Sequence, residues 1–240
     1  MSRVAIVAAL EREVRPLVKD WRVTEKDVAG RRFRFFENGD VVLVCGGIGA
    51  EAARRAADAV ITTYAPKIIC SAGFAGALDP ELKLASIVHP RRIVNAGDSS
   101  SIDLGRGNGV LVSFSTIASP QQKASLRASY QAQAVDMEAA AVGRAAEIRG
   151  VPFTVVKAIS DEFDFNFPSI ERFVDANGQF LEMRFAMFAA VRPWLWPGIV
   201  RLARNSQRAS RVLCDSLRKI AAEEMPTVSV LPAMPGANRR

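Results

Sequence analysis

The feature that most constrains this chain is a repeated unit. A short apolar run ends in glycines or acids and leads straight into a helix-forming stretch. Val4 through Leu10 is apolar without interruption. Glu11, Arg12 and Glu13 follow, then Val14, Leu17 and Val18 at helical spacing. Continuous apolar runs mark strands covered on both faces. The unit returns at Val41–Cys45, where Gly46-Gly47-Ile48-Gly49 opens an Ala-rich helix over 50–64. It returns again at Ile68–Ser71, which the pattern follows with a glycine loop over Ala72–Leu78. Phe33–Glu37 and Val41–Cys45 read as a hairpin around Asn38-Gly39-Asp40. Further strands are expected at Val110–Phe114 and from Pro152 to Ile159, with helices over 121–130 and 138–150. The order predicts an α/β fold: a single domain with a central twisted sheet, mostly parallel or mixed, flanked by helices. In such sheets ligands sit beyond the carboxyl ends of the strands.

The chain has 240 residues, 49 % apolar and 24 % charged, enough for a sizeable core and unlike a disordered chain. The expected division is a catalytic domain over 1–190, a basic amphipathic extension over 191–222 and a disordered tail over 223–240, where Pro226, Pro232, Pro235 and Gly236 gather. A single histidine, His89, excludes a His-based triad and most metal sites; it reads as a structural residue. Cys45, Cys70 and Cys214 show no zinc spacing and no disulfide framework. Neither metal nor cofactor is expected. The first apolar stretch is too short for a signal peptide, and no run reaches the roughly 18 apolar residues of a membrane span. A reducing, cytoplasmic location is the expectation.

The formal charge of +7 is concentrated. Between Val191 and Ile220, seven basic residues face Asp215 alone, so the remaining body is close to neutral and nucleic acid is not an expected partner. Trp194 and Trp196 precede an interrupted apolar stripe of Ile199, Leu202, Val212, Leu213, Leu217 and Ile220, with Arg201, Arg204, Arg208 and Arg211 elsewhere. Two readings stay open: an interfacial helix on an anionic membrane face, peripheral and cytoplasmic, or a helix packed on the domain or on a second subunit.

The strand ends carry acids: Glu11 and Glu13, Asp136 and Glu138, and Asp161. Each alone can be no more than a helix-dipole partner. Three acidic clusters converging on one crevice, with no histidine chemistry at hand, suit cleavage of a glycosidic bond. One acid protonates the leaving group, while another orients water or steadies positive charge on the sugar.

Five motifs in order, VAIVAALEREV from Val4, GGIGAEAA, SAGFAGAL, AVDMEAAAVG and VPFTVVKAISDE, resemble the nucleoside phosphorylase and nucleosidase superfamily. They are most similar to its methylthioadenosine/adenosylhomocysteine nucleosidase-like group, over about residues 3–165, with VDMEAAAV and KAISDE the most specific. A closer likeness is to the hopanoid-associated branch, whose implied substrate is adenosylhopane. The resemblance implies that Glu13 orients the attacking water and that Asp161 protonates or hydrogen-bonds the purine at N7, with Ser160 orienting it. It implies that Glu138 holds the ribose hydroxyls and Met137 packs on the sugar. Ile117 and Phe153 are expected against the base. A homo-oligomer, commonly a dimer, is the family expectation.

Two departures stand out. Phe74 occupies the serine position of the family's GSAGG, which implies a more apolar pocket, and Lys157 replaces the arginine of RAISD. Phe163 and Phe165, alternating with polar residues just past Asp161, read as a wall for an apolar 5′ substituent or as a core strand. The glycine loops carry no Arg or Lys to hold phosphate, which favours hydrolysis over phosphorolysis.

Overall fold

The computed structural model describes residues 4–165 and 192–223, with Phe173, Asp175, Gly178, Phe180, Leu181, Arg184, Phe185, Met187 and Phe188. The first strand, β1 (Val4–Ala8), leads into α1 (Glu11–Val18). An antiparallel meander of β2 (Arg22–Val28), β3 (Arg31–Asn38) and β4 (Val41–Cys45) follows, and Asn38 pairs with Val41 across the expected tight turn. The long helix α2 (Ala50–Tyr64) then crosses to β5 (Ile68–Ala77). Short strands β6 (Ile87–Val88), β7 (Arg92–Asn95), β8 (Ser101–Asp103) and β9 (Val110–Ser113) precede α3 (Pro120–Tyr130). Next come β10 (Ala134–Asp136), α4 (Ala139–Ile148) and β11 (Phe153–Asp161); among the described residues the last element is α5 (Trp196–Glu223).

The strands form one mixed sheet in the order β2-β3-β4-β1-β5-β10-β9-β7-β8, with β11 branching from β5 and β6 pairing with β11. The apolar run of β1 has the two-sided cover its sequence demands. Ile6 and Ala8 face α1 and α5, where Val14, Leu17, Val18, Leu213, Cys214 and Leu217 close a core cluster. Ala5 and Val7 face α2 and α4, against Ala53, Ala56, Val60, Val142 and Ala146. Side chains alternate across a strand, so only a run without polar residues can satisfy both layers.

The segment read as a loop over Ala72–Leu78 is strand as far as Ala77. Its glycines mimic loop composition, but the backbone is held by β11 in parallel register from Ile69 to Gly76. On the other edge β5 changes partner. Pairing with β1 ends at Ser71, and antiparallel pairing with β10 begins at Gly76. Between these two partners Phe74, Ala75 and Gly76 look into a cavity.

The extension expected over 191–222 divides in two. Ala209, Leu213, Cys214 and Leu217 on the second half of α5 are fully buried against the domain, while Trp194, Trp196 and Val200 at its start are exposed. Residues 224–240 of the expected tail lie outside the described residues. Among the described residues no helix is long and apolar enough to cross a membrane.

Candidate active site

The cavity holds about 920 Å³, within the ~300–1,000 Å³ of small-molecule sites. It lies at the carboxyl ends of β1, β5, β10 and β11, as a sheet of this kind dictates. Glu13, Phe74, Ile117, Met137, Glu138, Ser160 and Asp161, all expected from the sequence, line it together.

Glu13 stands in the first turn of α1 and is 6 % exposed. Its Oε2 has no hydrogen-bond partner, and a Cβ on Gly73 would approach that oxygen to 2.8 Å. Burial pushes the Glu13 carboxyl up to about 8; Glu138 adds to the rise, and Lys157 opposes it. A buried carboxyl with an idle oxygen can hold a water, and it can accept a proton from that water once it ionises.

Glu138 ties two helix starts together. Its Oε1 accepts the Gly49 amide at 2.9 Å, at the mouth of α2, and its Oε2 accepts the Met137 amide at 3.3 Å, at the mouth of α4. Burial raises this carboxyl as well, against the pull of Lys157. Lys157 is 1 % exposed and lies 2.7 Å from Asp136 and 3.9 Å from Glu138. Burial alone would lower its ammonium, but Asp136 and Glu138 outweigh that and raise it. Asp136 itself is fully engaged: Ser113 donates to Oδ1 at 2.6 Å, and the Ala139 amide donates to Oδ2 at 2.8 Å. Asp136 therefore anchors Lys157 and caps α4, and Lys157 holds a single positive charge among three carboxylates.

Asp161 ends β11 at a bulge. Ile159 pairs with Ala75 and Asp161 with Gly76, which leaves Ser160 as the extra residue. Bulges re-aim side chains at sheet rims, and here Ser160 and Asp161 both face the cavity. The Ser160 hydroxyl donates to Asp161 Oδ1 at 2.8 Å. Lys123 Nζ lies 2.5 Å from Oδ2 and donates to the Glu162 carbonyl at 2.7 Å. Lys123 was not expected from the sequence. In the stretch Pro120–Tyr130 it reads as one more solvated helical lysine, yet it is 1 % exposed. The one sequence signal is the capping box just before it. Ser119 accepts the Gln122 amide, and the Gln122 side chain accepts the Ser119 amide, which fixes the start of α3. That start places Lys123 one turn in, beside Gly76.

Three expected residues lie elsewhere. Phe153 opens β11, about 26 Å along the strand from Asp161, and its ring packs on Gly143 of α4. It therefore cannot close the base side, because the motif's strand runs the full depth of the sheet. Phe163 and Phe165 are not among the described residues lining the cavity. The chain turns after Asp161, where the Phe165 amide donates to the Glu162 carbonyl. Phe165 is thereby buried with the Arg201 guanidinium 5.2 Å from its ring. The apolar wall comes instead from Phe180, Phe185 and the first half of α5, through Ile199 and Leu202. His89 is exposed and outside the lining.

Known proteins share the family and the fold of this chain. The family model described as the phosphorylase superfamily matches residues 3–121 and 107–190. The 5′-methylthioadenosine/S-adenosylhomocysteine nucleosidase of Marinomonas sp. is 28 % identical over 201 residues, covering 67 % of this chain and 86 % of that protein. The aminodeoxyfutalosine nucleosidase of Campylobacter jejuni is 23 % identical over 208 residues, covering 69 % and 91 %. In structure, the Helicobacter pylori 5′-methylthioadenosine/S-adenosyl homocysteine nucleosidase, complexed with a substituted pyrrolidin-3-ol, superposes with a TM-score of 0.69 at 18 % identity, over 92 % of this chain and 98 % of that one. The Helicobacter pylori futalosine hydrolase gives 0.68 at 17 % identity, with the same coverage.

Proposed function

The chain belongs to the phosphorylase superfamily, and from that premise we propose that it hydrolyses the N-glycosidic bond of an adenine nucleoside bearing a large apolar 5′ substituent. The observation that carries the reading is one cavity with two halves. Glu13, Glu138 and Asp161 gather at the strand ends, and Phe74, Phe180, Phe185, Ile199 and Leu202 form an apolar wall beyond them. Relatives named as nucleosidases of methylthioadenosine, adenosylhomocysteine and aminodeoxyfutalosine support the adenine nucleoside class.

The chemistry follows from the geometry. As the C1′–N bond lengthens, the sugar gains oxocarbenium character. Glu138, held by two backbone amides, presents its remaining lone pairs to the ribose hydroxyls and favours that charge. Glu13 takes a proton from water as its oxygen joins C1′. Asp161 faces the purine, and the adenine departs with a proton at N7. Each of Glu13 and Asp161 supplies a factor of roughly 10²–10⁴. Water is favoured over phosphate because the nucleophile side presents the buried carboxyl of Glu13, and Lys157, a cation whose charge acts on it, is already bound to Asp136.

Adenosylhopane is the substrate we put forward, because an apolar pentacyclic tail suits contact with Phe180, Phe185, Ile199 and Leu202. The exposed Trp194, Trp196 and Val200 lie at the start of the helix that forms this wall, beside Arg192, Arg201 and Arg204. This supports contact with an anionic membrane face from which such a substrate would enter. The deciding experiment is adenine release from adenosylhopane and from methylthioadenosine in detergent, with and without phosphate, using Asp161→Asn as control. Phosphate-independent release from adenosylhopane, lost in the variant, is expected. Fast turnover of methylthioadenosine with none of adenosylhopane would overturn the lipid assignment, and strict dependence on phosphate would overturn hydrolysis.

A further inference from the structure

We propose that Lys123 serves the reaction through Asp161: it positions that carboxylate, and its ammonium is the source of the proton that Asp161 passes to the leaving base. The inference rests on the nucleosidase reading and adds a group to it.

Asp161 accepts on both oxygens, from the Ser160 hydroxyl at Oδ1 and from Lys123 at Oδ2. In this arrangement Nζ is the donor of the pair and the carboxylate is the acceptor. An ammonium has three N–H groups. Those of Lys123 meet Asp161 and the Glu162 carbonyl, which leaves one for the cavity that Lys123 lines. The site is built to admit this side chain. A Cβ on Gly76 would lie 2.8 Å from Asp161 Oδ2 and 3.3 Å from Lys123 Cε.

Stability does not account for the residue. A cation near the start of a helix opposes the helix dipole. Burying an ion pair is commonly no better than burying apolar groups of the same shape. Lys123 bears both costs at 1 % exposure. A group kept under those conditions at the cavity wall is placed for chemistry.

The step balances. The electron pair of the C1′–N bond passes to the purine. One proton moves from Nζ to Asp161 Oδ2 and from there to N7, so Asp161 ends as the carboxylate it began as and Lys123 is left as a neutral amine. Water gives its oxygen and one hydrogen to C1′ and its other proton to Glu13. Glu13 then releases a proton to solvent, and the amine takes one back.

The test is chemical rescue. Lys123→Ala is expected to lower kcat for adenine release by about 10²–10⁴-fold, with a smaller change in KM. Small primary ammonium ions are expected to restore kcat, the more so the lower the ammonium pKa. Rescue that is absent, or independent of ammonium pKa, overturns the proposal, as does a kcat within threefold of wild type. If Lys123→Ala does not fold, Lys123→Met keeps the buried stem and is compared on adenine and p-nitrophenol leaving groups attached to ribose. Loss confined to adenine supports proton supply, because nitrophenolate leaves unprotonated. Equal loss on both marks a structural counter-ion. Wild-type protein that releases adenine from no nucleoside would sink the nucleosidase reading itself, a result separate from any of these.

Discussion

The Cβ that Gly73 lacks would stand 2.8 Å from Oε2 of Glu13. Gly73 also adopts a φ of +151°, a conformation open to glycine and strained for other residues. Both facts place the same demand on one position of β5: backbone must pass directly beneath the Glu13 carboxyl. Gly73→Ala should therefore push Glu13 out of line. A displacement near 1 Å from reacting geometry costs on the order of 100-fold. The expected outcome is a fall in kcat of that size with KM for the nucleoside changed far less, read by steady-state adenine release.

Glu13 makes a pH prediction with a definite sign. The folded carboxyl sits at about 8 against an ordinary value of 4.5, chiefly because it is buried. Between those values the folded protein holds a proton that the unfolded chain has lost. The unfolded state binds fewer protons, so this residue's contribution to stability falls as pH rises from 4.5 to 8 and levels off above. Glu13→Gln removes that dependence. The melting temperature of the variant minus that of wild type is expected to grow from pH 5 to pH 8.5, by roughly 2–4 °C for each kcal/mol relieved in a domain of this size. A difference that stays flat with pH overturns the assignment. The same ionisation should make kcat/KM of the wild type rise toward pH 8, as Glu13 becomes competent to accept a proton.

The residues that sequence reading found are those whose role is local. Glu13 follows a buried strand, Glu138 opens a helix and Asp161 ends a strand, so adjacent residues announce each position. The residues it missed depend on contacts distant in sequence. Lys123 is buried because Asp161, 38 residues later, lies against it. Pattern alone leaves a lysine in Gln121–Tyr130 on the solvent side. The glycines of β5 misled in the opposite direction. Their composition is that of a loop, but they are there to clear space for Glu13 and Asp161 within a strand. Phe163 and Phe165 show the limit of periodicity, since alternation after Asp161 does not say whether the chain continues along the pocket or turns into the core.

Lys157 carries the electrostatic load between Glu138 and Glu13. It sits 2.7 Å from Asp136 and 3.9 Å from Glu138, and its charge opposes the rise in Glu13. Removing one partner of a buried ion pair leaves an uncompensated charge and costs about 3–5 kcal/mol. Lys157→Met is expected to lose stability of that order in urea unfolding at pH 7. In the folded fraction, the alkaline shift of Glu13 should increase, so the rise of kcat/KM with pH should move upward. A variant as stable as wild type would show that Asp136 and Glu138 do not need this cation.

The apolar wall is tested through selectivity. Leu202 lies on the half of α5 that faces the cavity, at a distance from the carboxylates set by the helix, and it shares the wall with Ile199, Phe180 and Phe185. Burying a leucine-sized contact against an apolar tail contributes about 1.5–3 kcal/mol, or roughly 10- to 150-fold in binding. A methylthio group is too small to use most of that surface. Leu202→Glu places a charge where the tail would lie and should reduce kcat/KM for adenosylhopane more than for methylthioadenosine. The ratio between the two substrates is expected to fall by about tenfold or more, while the dependence of each on Asp161 stays the same. An unchanged ratio would mean that the 5′ substituent leaves the cavity before reaching α5, and the lipid-tail reading would fail with it.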